Sequence, residues 1–236
     1  MTKTESTRLI GVTLTGAGHY TQLPQLEAIS EIYPFVEWGI LYSPTKAGHD
    51  NRYPSEEWID WVLRKRSQNM KVSLHLCGNA KADFAEGIST GNHWKGFDRV
   101  QFNVGKAANA FVNRIYNTTD LPKFAKDNQV IIGGYVHEIR EFPEDALPLF
   151  DLSGGRGIVD IDYEEPFQTD RPNGYCGGLS PENLFYQYHL ITEVAGNCDI
   201  WVDIETGARN KKNIFDLNVC IQLLEMIKPI YKSQCI

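Results

Sequence analysis

The sequence of 236 residues predicts a (β/α)8 TIM barrel, and three observations carry that prediction. Eight short apolar runs recur along the chain, which gives roughly 30 residues per run, the length of one βα unit. Stretches of helical periodicity separate several of the runs. No linker or break in composition divides the chain, and barrels of about 200–250 residues form one domain. We therefore expect a single barrel domain over residues 1–236.

The strands are predicted from runs that are mostly rich in β-branched or aromatic residues, several of them followed by Gly, Asn or Asp. In chain order they are 9–14, 35–42, 71–77, 99–104, 129–136, 146–152, 174–178 and 199–205. The alternative is an open doubly wound sheet, which would have fewer strands and usually a phosphate-binding loop after the first. Here only the weak glycine turn TLTGAG follows the first run.

Helices are predicted between several of the strands. The one after the second strand has Trp58, Trp61 and Val62 on one face, and the one after the seventh strand starts with Ser180 as N-cap and Pro181 in the first helical position. The patterns after the fifth and sixth strands are less clearly helical. The last helix is predicted from an apolar stripe at steps of four, formed by Phe215, Val219, Leu223 and Ile227, with Cys220 and Leu224 beside it.

Composition narrows the class of function. The net charge of −7 argues against a nucleic-acid partner. No run of about 18 apolar residues predicts a membrane span, and MTKTESTR lacks the apolar core of a signal peptide. Five cysteines without CxxC spacing favour reduced thiols, so a cytoplasmic protein is expected.

Polar side chains near the strand ends predict a site at the C-terminal face of the barrel, where the active sites of such barrels lie. Alternation along a strand directs Ser73, His75 and Cys77 into the barrel and Leu74 and Leu76 towards the helices. It likewise pairs Thr13 with Thr15, Gln101 with Asn103, and Asp203 with Trp201 and Glu205. Three of these residues also have a purely structural interpretation. His75 would be a hydrogen-bonded core histidine, Cys77 a small buried hydrophobic residue, and Asp203 a residue at the barrel rim that is hydrogen-bonded to the backbone.

Two glycine turns predict a phosphate site. Gly177 and Gly178 follow the seventh strand, and Thr206, Gly207 and Ala208 follow the eighth. The loops after these two strands are the usual phosphate site of a barrel, because glycine lets backbone N–H groups approach an anion. Tight turns without a ligand are the alternative. No HxH, HExxH, paired CxxC or GxSxG pattern is present, and no metal site is predicted.

Several segments, in chain order, resemble phosphoribosylanthranilate isomerase. The most specific are GYCGGLSPENL (174–184) and LFDLSGGRG (149–157), which are similar to that family's Ala-Gly-Gly-Leu-Asn-Pro-Glu-Asn-Val and to its Leu-Leu-Asp followed by Gly-Gly-Thr-Gly. Segments 38–58, 99–103 and 201–210 resemble its second, fourth and eighth strands with their loops. The resemblance implies an Amadori rearrangement that needs no metal or organic cofactor.

The resemblance also implies roles for particular residues. Asp151 matches the family's general acid, and Gly154 and Gly155 would let the backbone close over the ligand. Arg52 matches the loop arginine, and the phosphate would lie on the two glycine turns. The expected substrate-binding residues are Thr13, Arg52, Asn103, Arg156 and Asp203, and the expected phosphate-binding residues are Gly154, Gly155, Gly177, Gly178, Thr206, Gly207 and Ala208.

Three positions depart from the family. The first strand lacks its catalytic cysteine and has Thr13 or a neighbour near that place, so Cys77 and His75 become candidate bases. Arg156 replaces a threonine and adds a bidentate anion site. Glu205 precedes the phosphate turn and would need a cation such as Arg209. The hypotheses are an isomerase of a phosphorylated ribose derivative, a different lyase, aldolase or epimerase on this barrel, and a non-catalytic binder of a small phosphorylated metabolite.

Overall fold

The computed structural model describes residues 7–85, 96–104, 108–118, 129–151, 162–166 and 170–233. Within them, eight parallel strands pair in chain order and the last pairs with the first, so the sheet closes into a barrel. The strands are β1 Arg8–Thr15, β2 Val36–Tyr42, β3 Lys71–Leu76, β4 Arg99–Val104, β5 Gln129–Gly134, β6 Ala146–Phe150, β7 Asn173–Tyr175 and β8 Asp199–Ile204. The predicted fold class is confirmed.

Helices follow most of the strands. They are α1 Leu23–Ile32, α2 Glu56–Lys65, α3 Ala80–Ala85, α4 Ala108–Thr118, α5 Leu184–Ala195 and α6 Leu217–Ser233. The connection from β5 to β6 contains only a single 3-10 turn, Val136–Glu138, which agrees with its weak helical pattern. Among the helices described, none is long and apolar enough to cross a membrane.

Three details of the helices differ from the prediction. α5 begins at Leu184 rather than Pro181, because the Asn183 side chain accepts from the Ser180 N–H at 2.9 Å and donates to the Gly178 carbonyl at 2.9 Å. These bonds close a separate turn before the helix. In α2, Val62 is buried but Trp61 is 40 % exposed. Phe215 is buried yet lies in the loop before α6.

The core has two parts. The larger one lies between the strands and the helices and includes Leu74 and Leu76, as alternation predicts. A smaller apolar cluster fills one side of the barrel interior and consists of Ile131, Leu147, Leu149 and Trp201. The other side of the interior, from β8 through β1 to β4, is polar, which is unusual because barrel interiors are normally filled by Val, Ile and Leu.

An ion pair anchors this polar side near the N-terminal end of the barrel. Arg99 donates from Nε to Glu37 Oε2 at 2.7 Å and from Nη2 to Glu37 Oε1 at 2.6 Å. Thr13 donates to Glu37 at 3.0 Å and accepts from Arg99 at 2.9 Å. Burial by itself raises the pKa of Glu37, but the charge and hydrogen bonds of Arg99 outweigh it and hold the pKa below its usual value. Glu37 is therefore ionised inside the barrel.

Candidate active site

A cleft opens at the C-terminal ends of the strands. It is lined by residues of β3, β4 and β8 and of the segments that follow β6, β7 and β8. They are His75, Gln101, Asn103, Asp151, Cys176, Gly177, Gly178, Leu179, Asp203, Ile204, Glu205, Thr206 and Gly207. Five segments distant in sequence thus converge on one place, which is the face where barrel enzymes carry their chemistry.

Asp151 directly follows β6 and is half-buried in the cleft. Its neighbour is Cys176, which follows β7. The Cys176 thiol donates to the Phe150 carbonyl at 3.4 Å and also forms a hydrogen bond with the Asp151 side chain. Burial, together with the negative charges of Asp151 and Asp203, raises the pKa of Cys176 well above its usual value. The sulfur is therefore a neutral thiol that contacts the Asp151 carboxyl group.

Asp203 provides a second carboxyl group in the cleft. It is 7 % exposed, and Thr15 Oγ1 donates to its Oδ1 at 2.6 Å. Its Oδ2 lies 3.8 Å from His75 Nδ1. Burial, reinforced by the carboxylates of Glu37 and Asp151, raises the pKa of Asp203 to about 7, although Thr15 and Arg99 oppose the shift.

His75 is buried beside this carboxyl group. Its Nε2 lies 3.0 Å from Ser73 Oγ, and burial lowers the pKa of His75 to about 4, so the imidazole is neutral at pH 7. Gly39 on β2 leaves the space that this arrangement needs. A Cβ atom at Gly39 would lie 2.2 Å from Thr15 Oγ1 and 3.0 Å from His75 Nε2. The group therefore depends on a glycine from a neighbouring strand.

The partner of Glu205 differs from the expectation. Glu205 pairs with Arg52 rather than Arg209, with 2.7 Å between Arg52 Nη1 and Glu205 Oε1. Arg52 also donates to Asn213 Oδ1 at 2.8 Å, whereas Arg209 donates to the Asn213 carbonyl at 3.3 Å. Burial raises the pKa of Glu205 against the attraction of Arg52. Arg52 reaches the cleft edge from the loop between β2 and α2 and offsets the extra carboxylate.

The two glycine turns form one wall of the cleft. Gly177 and Gly178 have φ angles of 111° and 66°, in the left-handed region that glycine adopts freely. Thr206–Ala208 forms a 3-10 turn in which Ala208 is fully buried. The turns touch each other at Gly207, where a Cβ atom would lie 1.9 Å from the Leu179 carbonyl oxygen.

We expect Gly207→Ala to destabilise the protein by about 1–3 kcal/mol, because the added methyl group meets backbone that cannot turn aside. The measurement is urea denaturation followed by circular dichroism. Gly18→Ala is the matched control: its Cβ would lie 3.5 Å from Pro54, an ordinary contact, so a change within about 0.5 kcal/mol is expected. Equal midpoints for the two variants would show that the turns are not packed as described.

Not all predicted site residues meet in this cleft. Thr13 is 1 % exposed and lies deeper, in the layer of Glu37 and Arg99. Cys77 is absent from the cleft lining, hydrogen bonds to Tyr53, and has a pKa raised to about 11, first by burial and then by the charge of Glu205. Gly154, Gly155 and Arg156 lie outside the described residues.

The sequence analysis did not single out Cys176, which lines the cleft. Alternation from Gly174 through the end of β7 could have identified it, because both residues face the barrel interior. In the part of the chain that the structure describes, no three His, Cys, Asp or Glu side chains are grouped to hold a metal ion.

Comparisons with known proteins place the fold among the barrels of phosphoribosylanthranilate isomerases. No protein-family model and no curated protein sequence matches the chain. Among solved structures, TrpF from Jonesia denitrificans matches with a TM-score of 0.56 and 12 % identity, over 94 % of this chain and 98 % of that one. Phosphoribosyl anthranilate isomerase from Thermus thermophilus matches with a TM-score of 0.57 and 13 % identity, over 93 % and 99 % of the two chains.

A third similar structure is a phosphoribosyl anthranilate isomerase in complex with reduced 1-(o-carboxyphenylamino)-1-deoxyribulose 5-phosphate. It matches with a TM-score of 0.55 and 14 % identity, over 94 % of this chain and all of that one. At such low identity the likeness concerns the fold, and it extends over nearly the whole length of each chain. This chain has the barrel architecture of phosphoribosylanthranilate isomerases.

Proposed function

We propose that this protein is an enzyme that isomerises a phosphorylated ribose derivative from the aldose to the ketose form by acid–base catalysis. The observation that carries the proposal is the convergence of Asp151 and Asp203 in one cleft, against a wall of two glycine turns. An Amadori rearrangement needs one group that gives a proton and one that takes a proton. It also needs a place for the phosphate, which the turns offer through their backbone.

Asp151 has the role of general acid. On a ribose derivative that carries a nitrogen at C1, it protonates the ring oxygen of the sugar, the bond between this oxygen and C1 breaks, and the lone pair of that nitrogen forms an iminium ion. The half-buried position of Asp151 suits this role, since the carboxyl group is in the cleft yet open to a ligand. The segment that precedes and follows it also carries one of the two most specific resemblances to the isomerase family.

The phosphate lies on the backbone of Gly177, Gly178, Thr206 and Gly207. These residues line the same cleft as Asp151, and left-handed φ angles at the two glycines let N–H groups approach an anion closely. Arg52 is a cation at this edge of the cleft and is 2.7 Å from Glu205. A ligand with a second acidic group could exchange with Glu205 as the partner of Arg52. The known ligand of the similar isomerase structure carries both a phosphate and a carboxylate.

The test is a turnover assay of the wild-type protein with N-(5-phosphoribosyl)anthranilate and with other phosphorylated aldoses, preceded by a thermal-shift screen. Binding to the native state raises the melting temperature, by an amount equivalent to about 2.7 kcal/mol at 100 times Kd. We expect the reduced product analogue to raise it well beyond inorganic phosphate, and an aldose to be converted to its ketose. Binding without conversion of any aldose would overturn the proposal.

The Arg52–Glu205 pair favours a second candidate, a different sugar-phosphate epimerase, lyase or aldolase on the same barrel. It adds a third carboxyl group to the cleft where the isomerase family has a small residue. Product analysis separates the candidates. Exchange of the C2 proton with solvent and inversion at C2 would indicate an epimerase, and two smaller products would indicate a lyase or aldolase. Non-catalytic binding is the weaker hypothesis, because binding alone does not need an acid in the cleft.

A further inference from the structure

We propose that Asp203 is the general base that replaces the missing first-strand cysteine and removes the C2 proton of the substrate. This inference rests on the proposed function, since it assigns the second half of the same reaction. The first observation is position: Asp203 lines the same cleft as Asp151, and the two carboxyl groups are close enough to influence each other's charge. An acid and a base in one cleft are what the rearrangement requires.

The second observation is orientation. Thr15, at the end of the first strand, donates to Oδ1 of Asp203 at 2.6 Å and so restrains the carboxyl group. The other oxygen, Oδ2, lies 3.8 Å from the neutral ring of His75, beyond hydrogen-bond distance. Among the residues that the structure describes, Asp203 is thus held by one oxygen, and the other oxygen is left to act on a ligand. The first strand contributes by positioning the base and not by carrying it.

The third observation is the chemistry of the other cleft groups. His75 has a pKa of about 4 and is a weak base. Cys176 is held as a thiol by burial and by neighbouring carboxylates. Glu205 is occupied by Arg52. Asp203, with a pKa of about 7, combines an appreciable carboxylate fraction at neutral pH with greater basicity than an exposed aspartate.

The step balances as a proton transfer. After ring opening, Asp203 Oδ2 takes the proton from C2, the C–H electron pair forms the C1=C2 bond, and the iminium nitrogen recovers its lone pair. The resulting enol loses its O–H proton and gains a proton at C1 to give the ketose. Asp151 has then lost a proton and Asp203 has gained one, so transfer between them through water restores the starting state.

The charged and titratable groups that face Asp203 are Glu37, His75, Arg99, Asp151, Cys176 and Glu205. Because Thr15 stabilises the ionised form, Thr15→Val should raise the pKa of Asp203 further. The acidic limb of the pH profile of kcat/KM should then move to higher pH. A residue that merely supports the fold would change the height of this profile and not the position of its limb.

The experiment compares wild type, Asp203→Asn and Asp199→Asn with an aldose that the wild type converts, deuterated at C2. Asp203→Asn should lower kcat by about 10²–10⁴-fold with KM changed by less than about threefold, and should abolish deuterium release to solvent. Asp199→Asn is the matched control. Asp199 lies at the far end of the same strand, next to Arg8, so this variant should convert substrate at the wild-type rate.

The possible failures are distinguishable. Absence of aldose conversion by the wild type would overturn the proposed function itself. Conversion by Asp203→Asn within about fivefold of wild type would leave that function standing and reject Asp203 as the base. If Asp203→Asn does not fold, as judged by circular dichroism, Thr15→Val decides: an unmoved acidic limb would reject the assignment, and a limb moved to higher pH would support it.

Discussion

Asp151→Asn is expected to lower kcat by about 10²–10⁴-fold while binding of inorganic phosphate stays within about threefold of wild type. Asparagine has the size and shape of aspartic acid, and its side chain can keep the contact with the Cys176 thiol. It has no carboxyl proton to give to the ring oxygen. The variant should therefore lose the chemical step and keep the phosphate-binding site. Steady-state kinetics measures the first, and a phosphate titration by calorimetry measures the second.

The control for this variant is Asp170→Asn. Asp170 is 76 % exposed, is 3.5 Å from Arg171, and does not line the cleft, so this change should leave both kcat and phosphate affinity as they are. Retained kcat in Asp151→Asn would rule out an acid role for this residue. A loss of phosphate affinity as large as the loss of kcat would instead show that Asp151 supports the shape of the cleft.

Much of the fold follows from patterns that act over short distances. Strand runs and their glycine or asparagine ends locate all eight strands, because a buried parallel strand needs a short run of apolar and β-branched residues. Alternation correctly separates Leu74 and Leu76 from His75, since neighbouring side chains on a strand point to opposite faces. The cleft at the C-terminal face then follows from the fold class, together with the position of Asp151 and Asp203.

What the sequence could not predict depends on contacts between distant segments. Glu37 stands in an otherwise apolar strand, and its partner Arg99 lies 62 residues further along the chain. The raised pKa of Asp203 arises from burial and is moderated by Thr15, which is close only because β8 pairs with β1. Likewise, Glu205 pairs with Arg52, on the loop after β2, rather than with Arg209, which is nearer in sequence. No local pattern encodes these pairings.

The buried ion pair gives the second large effect: Arg99→Met should reduce the free energy of unfolding by about 3–5 kcal/mol at pH 7, because it leaves the Glu37 carboxylate buried without a cation. Glu37 is 6 % exposed, and Arg99 also lies 4.9 Å from the centre of the Trp201 ring, a contact that methionine does not reproduce. Urea denaturation measures the change. The control is Arg8→Met in the more exposed pair with Asp199, where about 0–1 kcal/mol is expected.

The pH dependence of this loss follows from the pKa of Glu37. In the wild type that pKa is lowered, so the pair contributes stability above the ordinary glutamate pKa and loses it as pH falls through the folded value. In Arg99→Met the buried carboxyl group takes up a proton more readily, and its penalty shrinks as pH falls from 7 towards 4. The difference in the free energy of unfolding between wild type and variant should therefore become smaller at acidic pH.

The double variant Glu37→Gln/Arg99→Met should be more stable than Arg99→Met at pH 7, because no buried charge remains. Two results together would contradict this explanation: a double variant that is no more stable than Arg99→Met, and a stability difference between wild type and Arg99→Met that does not change with pH. They would mean that the loss of stability comes from lost packing and not from an uncompensated charge.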